Sequence, residues 1–202
     1  MSENPARRLD GAPIFDPCDL LRGFEHVPLL KDDLRPFGDA LSRSPAGLWA
    51  RHRNGDGRQT GAELIKPGLS GGFAFSRGGR RSLFRTPGPC RPRLVLVDGP
   101  VQAISLSALK PHARLNTTFA APGGSWSDAA DEALIALVLD SAPGETILAF
   151  APLPDGNCPS RGRAEALLRE CLPARAPRIL VLEPPPGGWV AALRAARTAP
   201  PA

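Results

Sequence analysis

The hydrophobic positions change rhythm near residue 92. Downstream, residues 94–97 (LVLV) form an uninterrupted apolar run, as in a strand buried on both faces, and residues 101–109 follow with apolar side chains at helical spacing. Residues 113–118 read as a second strand. Ser127 or Asp128 can cap a helix running through Leu139, with Asp131 and Glu132 in its first turn, where acids favour the helix dipole. Residues 146–150, 162–171, 178–182 and 189–196 then read as strand, helix, strand and helix. Four β-α units in succession predict a parallel four-stranded sheet with right-handed crossovers and flanking helices. Its ligand crevice is expected at the carboxyl ends of the strands.

Upstream the pattern is shorter and more broken. Residues 1–16 are polar and read as a flexible tail; residues 19–44 read as short helical segments interrupted by Pro28 and Pro36 and closed by Pro45. From Gly47 the rhythm turns to strands. Asn54, Gly55, Asp56 and Gly57 separate two extended runs, a strong hairpin signal, and residues 71–76 add a third strand. The expected organisation is a tail over 1–16, a small antiparallel α+β subdomain over 17–92 and a parallel α/β domain over 93–198.

Composition narrows the classes without choosing among them. The 202 residues are 42% hydrophobic and 22% charged, ordinary globular usage, and no apolar stretch approaches the roughly 20 residues needed to span a bilayer. No membrane crossing is expected. Of 25 basic residues 22 are Arg, an excess that coding bias explains by itself, so its position matters more than its size. Residues 1–93 carry a balance of +6 and residues 94–202 a balance of −1. Within residues 76–93 lie Arg77, Arg80, Arg81, Arg85, Arg91 and Arg93 with no acid among them. Guanidinium forks so clustered suit phosphate oxygens, although a solvated loop has the same composition. Cys18, Cys90, Cys158 and Cys171 lack metal-ligand spacing, and the polar start lacks a secretory core; reduced thiols and a cytoplasmic location are expected.

At the predicted strand ends stand Asp98-Gly99-Pro100, then Thr117, Thr118 and a Pro122-Gly123-Gly124-Ser125 loop, then Ala151 to Asp155, then Glu183 before three prolines. Asp98 reads equally as a site acid or as a cap on the next helix. The glycine loop lacks the Gly-Lys-Ser ending of a P-loop. His52, between Arg51 and Arg53 on a strand, reads as a surface residue, and the three Trp as packing residues.

This order of elements resembles a toprim domain, the metal-binding fold of bacterial-type primases, topoisomerases and some nucleases. LVLVDGPVQAISLSAL at 94–109 resembles the first toprim motif, GLWARHRNGDGRQTGAELIKP with GFAFSRGGRRSLF resembles the β subdomain preceding toprim in primase cores, and PPPGGWVAAL at 184–193 resembles the ending of toprim proteins from plasmids and other mobile elements. The resemblance implies nucleic-acid chemistry with magnesium held by an acid of the first motif and an Asp-x-Asp after the third strand. Here the first acid is Asp98, and the pair falls on Ala151 and Leu153; a slipped register would offer Asp155 instead. The acids of the ending are replaced by Gly188, Val190, Ala191 and Ala192 around Trp189. The expectation is therefore a primase-like toprim protein with impaired catalysis, binding nucleic acid or a partner protein of a replication or mobilisation assembly. Arg77, Arg80, Arg81 and Arg85 are its expected phosphate contacts. The alternatives are a magnesium-dependent nucleotidyl transferase or nuclease acting through Asp98 and Asp155, with Asp98 on the metal, and an interaction module in which Ala151, Leu153, Val190 and Ala192 are buried or face a partner.

Overall fold

The computed structural model describes residues 29, 31–65, 72–124, 126–171 and 178–199; the expected tail over 1–16 lies outside them. A short helix α1 (Lys31–Leu34) passes into a 3-10 helix (Arg35–Ala40). The strands β1 (Leu41–Ser44), β2 (Gly47–Arg53), β3 (Gln59–Ile65), β4 (Gly72–Phe75) and β5 (Leu83–Arg85) follow. Beyond them β6 (Arg93–Leu96), α2 (Pro100–Leu109), a 3-10 helix (Pro111–Asn116), β7 (Thr117–Ala121), α3 (Asp128–Ser141), β8 (Glu145–Leu148), α4 (Pro159–Cys171), β9 (Arg178–Val181) and α5 (Gly188–Thr198) complete the order.

The nine strands of the described residues belong to one sheet in the order β4-β3-β2-β5-β7-β6-β8-β9, with β1 also paired to β2. The four β-α strands are parallel, Arg93 standing opposite both Thr117 and Glu145, and Glu145 opposite Arg178. The upstream strands are antiparallel, as expected. They join the parallel strands through β5, which pairs His52↔Phe84 on one side and Phe84↔Ala121 on the other. The Asn54–Gly57 turn closes the β2-β3 hairpin with Gly57 N donating to Asn54 O at 3.0 Å and Gly57 at φ +79°.

The uninterrupted apolar run has its cause in the two layers of helices. Val95 and Val97 pack into the cluster with Ile104, Leu106, Trp189 and Val190; Leu94 and Leu96 pack into the opposite cluster with Leu134, Val138, Phe150 and Leu168. Burying a side chain of this size stabilises by about 1.5–3 kcal/mol. Ser127 caps α3, its hydroxyl accepting from Ala130 N at 3.3 Å, and Arg163 of α4 reaches Asp128 and Asp131 of α3.

Three boundaries differ from the reading of the sequence. Residues 41–44, expected within a helical region, form β1, because the turn at Pro45 folds them back on β2 with Ser44 opposite Gly47. Residues 113–116 belong to a 3-10 helix rather than the second parallel strand. Pro111 opens that helix, and Arg114 Nε donates back to the Ser107 carbonyl at 2.9 Å while its other nitrogens reach Asp32 O and Asp33, so the strand begins only at Thr117. The three-residue β5 gave no periodic signal, being shorter than any window in which alternation can be read.

Candidate functional site

Two groups of residues occupy the carboxyl ends of the parallel strands. The first surrounds Asp98, which follows β6. It is not the cap of α2: that position is Gly99, in extended conformation, with Pro100 as the first helical residue. The Asp98 carboxylate instead accepts from Ala151 N at 2.8 Å, tying the exit of β8 to the end of β6. Half-burial raises its pKa above the usual carboxylate range, and the Ala151 amide and its own amide offset this only in part. Ala151 is exposed and Leu153 is 51% exposed. Asp155 lies in a turn closed by Leu153 N donating to Asn157 O at 2.7 Å. Its carboxylate accepts from Asn157 N and Nδ2, which hold its pKa below the ordinary value.

The donors at this end do not fit a magnesium site. A hard cation needs several oxygens, and here Asp98 is committed to a backbone amide while Asp155 is committed to its own turn. Among the described residues no three His, Cys, Asp or Glu side chains converge on a common point. Val190 is buried in the cluster with Ile104 and Leu106, and Ala192 packs at its edge, so of Ala151, Leu153, Val190 and Ala192 only the first two face outward.

The second group lies where β7 meets the antiparallel strands. Arg81 Nη1 donates to Gly123 O at 3.0 Å, and its guanidinium carbon stands 4.8 Å from the centroid of the Phe75 ring, a cation-π distance. Arg77 and Arg80 are exposed on the same β4-β5 connection, and Arg80 reaches Glu132 of α3 at 3.3 Å. Arg85 is set apart from these three: it is 8% exposed and donates to the Gly88 and Thr86 carbonyls.

Beneath the Gly123-Gly124 loop sits a polar pair. His52 and Glu63 are 0% and 1% exposed, with His52 Nε2 at 3.3 Å from Glu63 Oε2. His52 Nδ1 lies 2.9 Å from the Ser82 carbonyl, which can only accept, so Nδ1 carries a proton. Nε2 is then left facing the Glu63 carboxylate. A Cβ added at Gly123 would overlap the Glu63 carboxylate and come within 2.7 Å of His52 Cε1; with φ at +72°, glycine is required twice over. The expectation that His52 lies at the surface is thus overturned. It occupies the inward phase of β2 together with Leu48 and Ala50, and strict alternation carried one residue further would have placed it there. Trp189 packs as expected: it is buried and donates through Nε1 to Ala149 O at 2.9 Å.

No protein-family profile and no curated protein matches the chain. Among solved structures, the primase fragment of the bacteriophage T7 primase-helicase protein is similar at 15% identity and a TM-score of 0.54, over 86% of this chain and 69% of the other. A DNA primase domain from Pseudomonas aeruginosa aligns at 16% identity with a TM-score of 0.44, over 80% of this chain and 54% of the other. The fold is similar to that of the T7 primase fragment.

Proposed function

We propose that this chain is a primase-like, toprim-type protein that binds nucleic acid through the β4-β5 connection and has lost metal-dependent catalysis. The mobile-element setting rests on the resemblance of residues 184–193 to the ending found in plasmid toprim proteins. One observation carries the binding reading: Arg81 is clamped between Phe75 and the Gly123 carbonyl, which fixes the acid-free segment bearing Arg77 and Arg80 beside the carboxyl end of β7. In an open α/β sheet that is the side from which ligands approach. Loss of catalysis is supported by the engagement of Asp98 with Ala151 N and by Ala151 and Leu153 standing where the resemblance expects acids.

Contacts of this kind are made with phosphates and carry no base preference, so affinity should fall steeply with salt. The test is fluorescence anisotropy with a mixed-sequence single-stranded oligonucleotide across a salt series. Replacing Arg77 and Arg80 by Ala should weaken binding at low salt and reduce the slope of log affinity against log salt by about 0.7 per lost contact. A slope unchanged in the double variant would overturn the assignment. Asp98→Asn should leave binding intact, and a magnesium-dependent nucleotidyl-transfer or cleavage activity abolished by that substitution would overturn the loss of catalysis.

A further inference from the structure

A cleft of about 610 Å³ opens on the α3 side of the sheet, between the β2-β3 turn, the C-terminal half of α3 and residues 85–89. Neither Asp98 nor Arg77, Arg80 or Arg81 lines it. Gly55 packs so closely on Ala136 that a Cβ there would overlap it, and this contact separates the cleft from a smaller one lined by Arg80 and Glu132.

Arg85 forms its wall and is electrostatically incomplete. The residue is 8% exposed, and the acceptors of its guanidinium, the carbonyl oxygens of Gly88 at 2.5 Å and Thr86 at 3.5 Å, are neutral. A buried cation ordinarily has a carboxylate partner. Burial depresses its pKa, Cys90 opposes that, Arg53 adds to it, and Asp140 and Asp39 oppose it more weakly. Beside it Arg53 donates to Gly57 O at 2.8 Å and Asp39 at 3.1 Å, and its Nε is buried without an acceptor. Two forks thus face a cleft in the size range of small-molecule sites. The rim bears Asp39, Asp56 and Asp140, which repel a bare anion and accept from hydroxyl or amino groups. Among the described residues no aromatic side chain lines the space, so recognition here would rest on hydrogen bonds rather than stacking.

We infer that this cleft binds a small phosphorylated molecule, its phosphate on Arg85 and Arg53 and its hydroxyl or amino donors toward the rim carboxylates, as in a sugar phosphate or a mononucleotide. The site is independent of the nucleic-acid surface proposed above. The test is a titration of the 15N-labelled full chain with inorganic phosphate, ribose 5-phosphate and AMP, followed through amide shifts. Saturable shifts are expected at Gly57 and Gly88, with both organic phosphates binding more tightly than inorganic phosphate. AMP and ribose 5-phosphate binding alike would assign the extra affinity to the sugar, and AMP binding more tightly would assign it to the base. Arg85→Lys keeps the charge but removes the fork, and should weaken all three by about tenfold, as expected for one charge-assisted contact. Asp140 is exposed, so Asp140→Asn should fold normally and strengthen inorganic phosphate binding by about two- to threefold by removing a rim charge. No saturable shift at Gly57 or Gly88, shifts confined to residues 77–81, or an Asp140→Asn variant with unchanged phosphate affinity would overturn the inference.

Discussion

The two ends that β7 and β6 present to the ligand side of the sheet treat charge in opposite ways. At β7 the protein buries an imidazole and a carboxylate under a glycine loop and holds an arginine over them. At β6 it leaves one half-buried carboxylate beside an alanine and an exposed leucine. Burying ionisable groups costs several kcal/mol unless the geometry and hydrogen bonds are nearly complete, so the β7 end is a structural commitment made at high cost. The β6 end carries no such commitment. Of these two strand ends, the buried polar chemistry is at the one where the antiparallel strands meet the parallel ones, and the end where the resemblance expects a metal has only Asp98.

The strongest way to break this contrast is Gly123→Ala. The added methyl must displace Glu63 or His52 from a buried pair and also adopt a left-handed backbone. A loss of about 3 kcal/mol or more is expected, read by urea denaturation, since overpacking and disruption of a buried pair act together. A loss below about 1 kcal/mol, the ordinary cost of a surface change, would show that the loop is free to move off the pair.

Next comes the pair itself. Glu63→Ala strands His52 and should cost about 2–3 kcal/mol, whereas Glu63→Gln should cost clearly less, because an amide can donate to the free Nε2 of a neutral imidazole while Nδ1 keeps Ser82. Equal losses in the two variants would mean that shape, not hydrogen bonding, holds this end together.

The smallest effect is expected at β6. Asp98 has its pKa raised by burial, so the folded state binds a proton more tightly than the unfolded chain does. Its contribution to stability is therefore present at acid pH and declines as pH rises from the unfolded value through the folded one. Asp98→Asn keeps an oxygen for Ala151 N and removes that decline. The variant should match the parent at low pH and equal or exceed it at neutral pH in parallel thermal melts. A variant less stable at neutral pH would show that the carboxylate is wanted in its charged form, as a ligand would be.

Much of this architecture was legible in the sequence because burial on both faces leaves an unmistakable run, as at residues 94–97, and because Asn54 to Gly57 is a hairpin turn by composition. The order of β-α units was equally readable, and it placed Asp98 at a strand end. The contacts that give the site its character were not. Nothing local shows that Asp98 accepts from residue 151, that Arg81 crosses to Gly123, or that Arg85, alike in sequence to its exposed neighbours, turns inward. Those facts come from pairing distant segments, β6 with β8 for Asp98 and the three-residue β5 with β2 and β7 for the arginines.

That strand also bears on how the molecule comes to be folded. The β2-β3 hairpin closes a short turn, whereas in the parallel block β6 pairs with β7 across 24 residues and with β8 across 52. β5 must find β2 about thirty residues before it and β7 about thirty-five after it, and it holds each through only two register pairs. With so few pairs on each side, the joint is expected to form after the rate-limiting barrier. Substitutions in β5, such as Leu83→Ala, should speed unfolding and leave the refolding rate nearly untouched in stopped-flow experiments; a slowed refolding arm would place the joint in the nucleus instead.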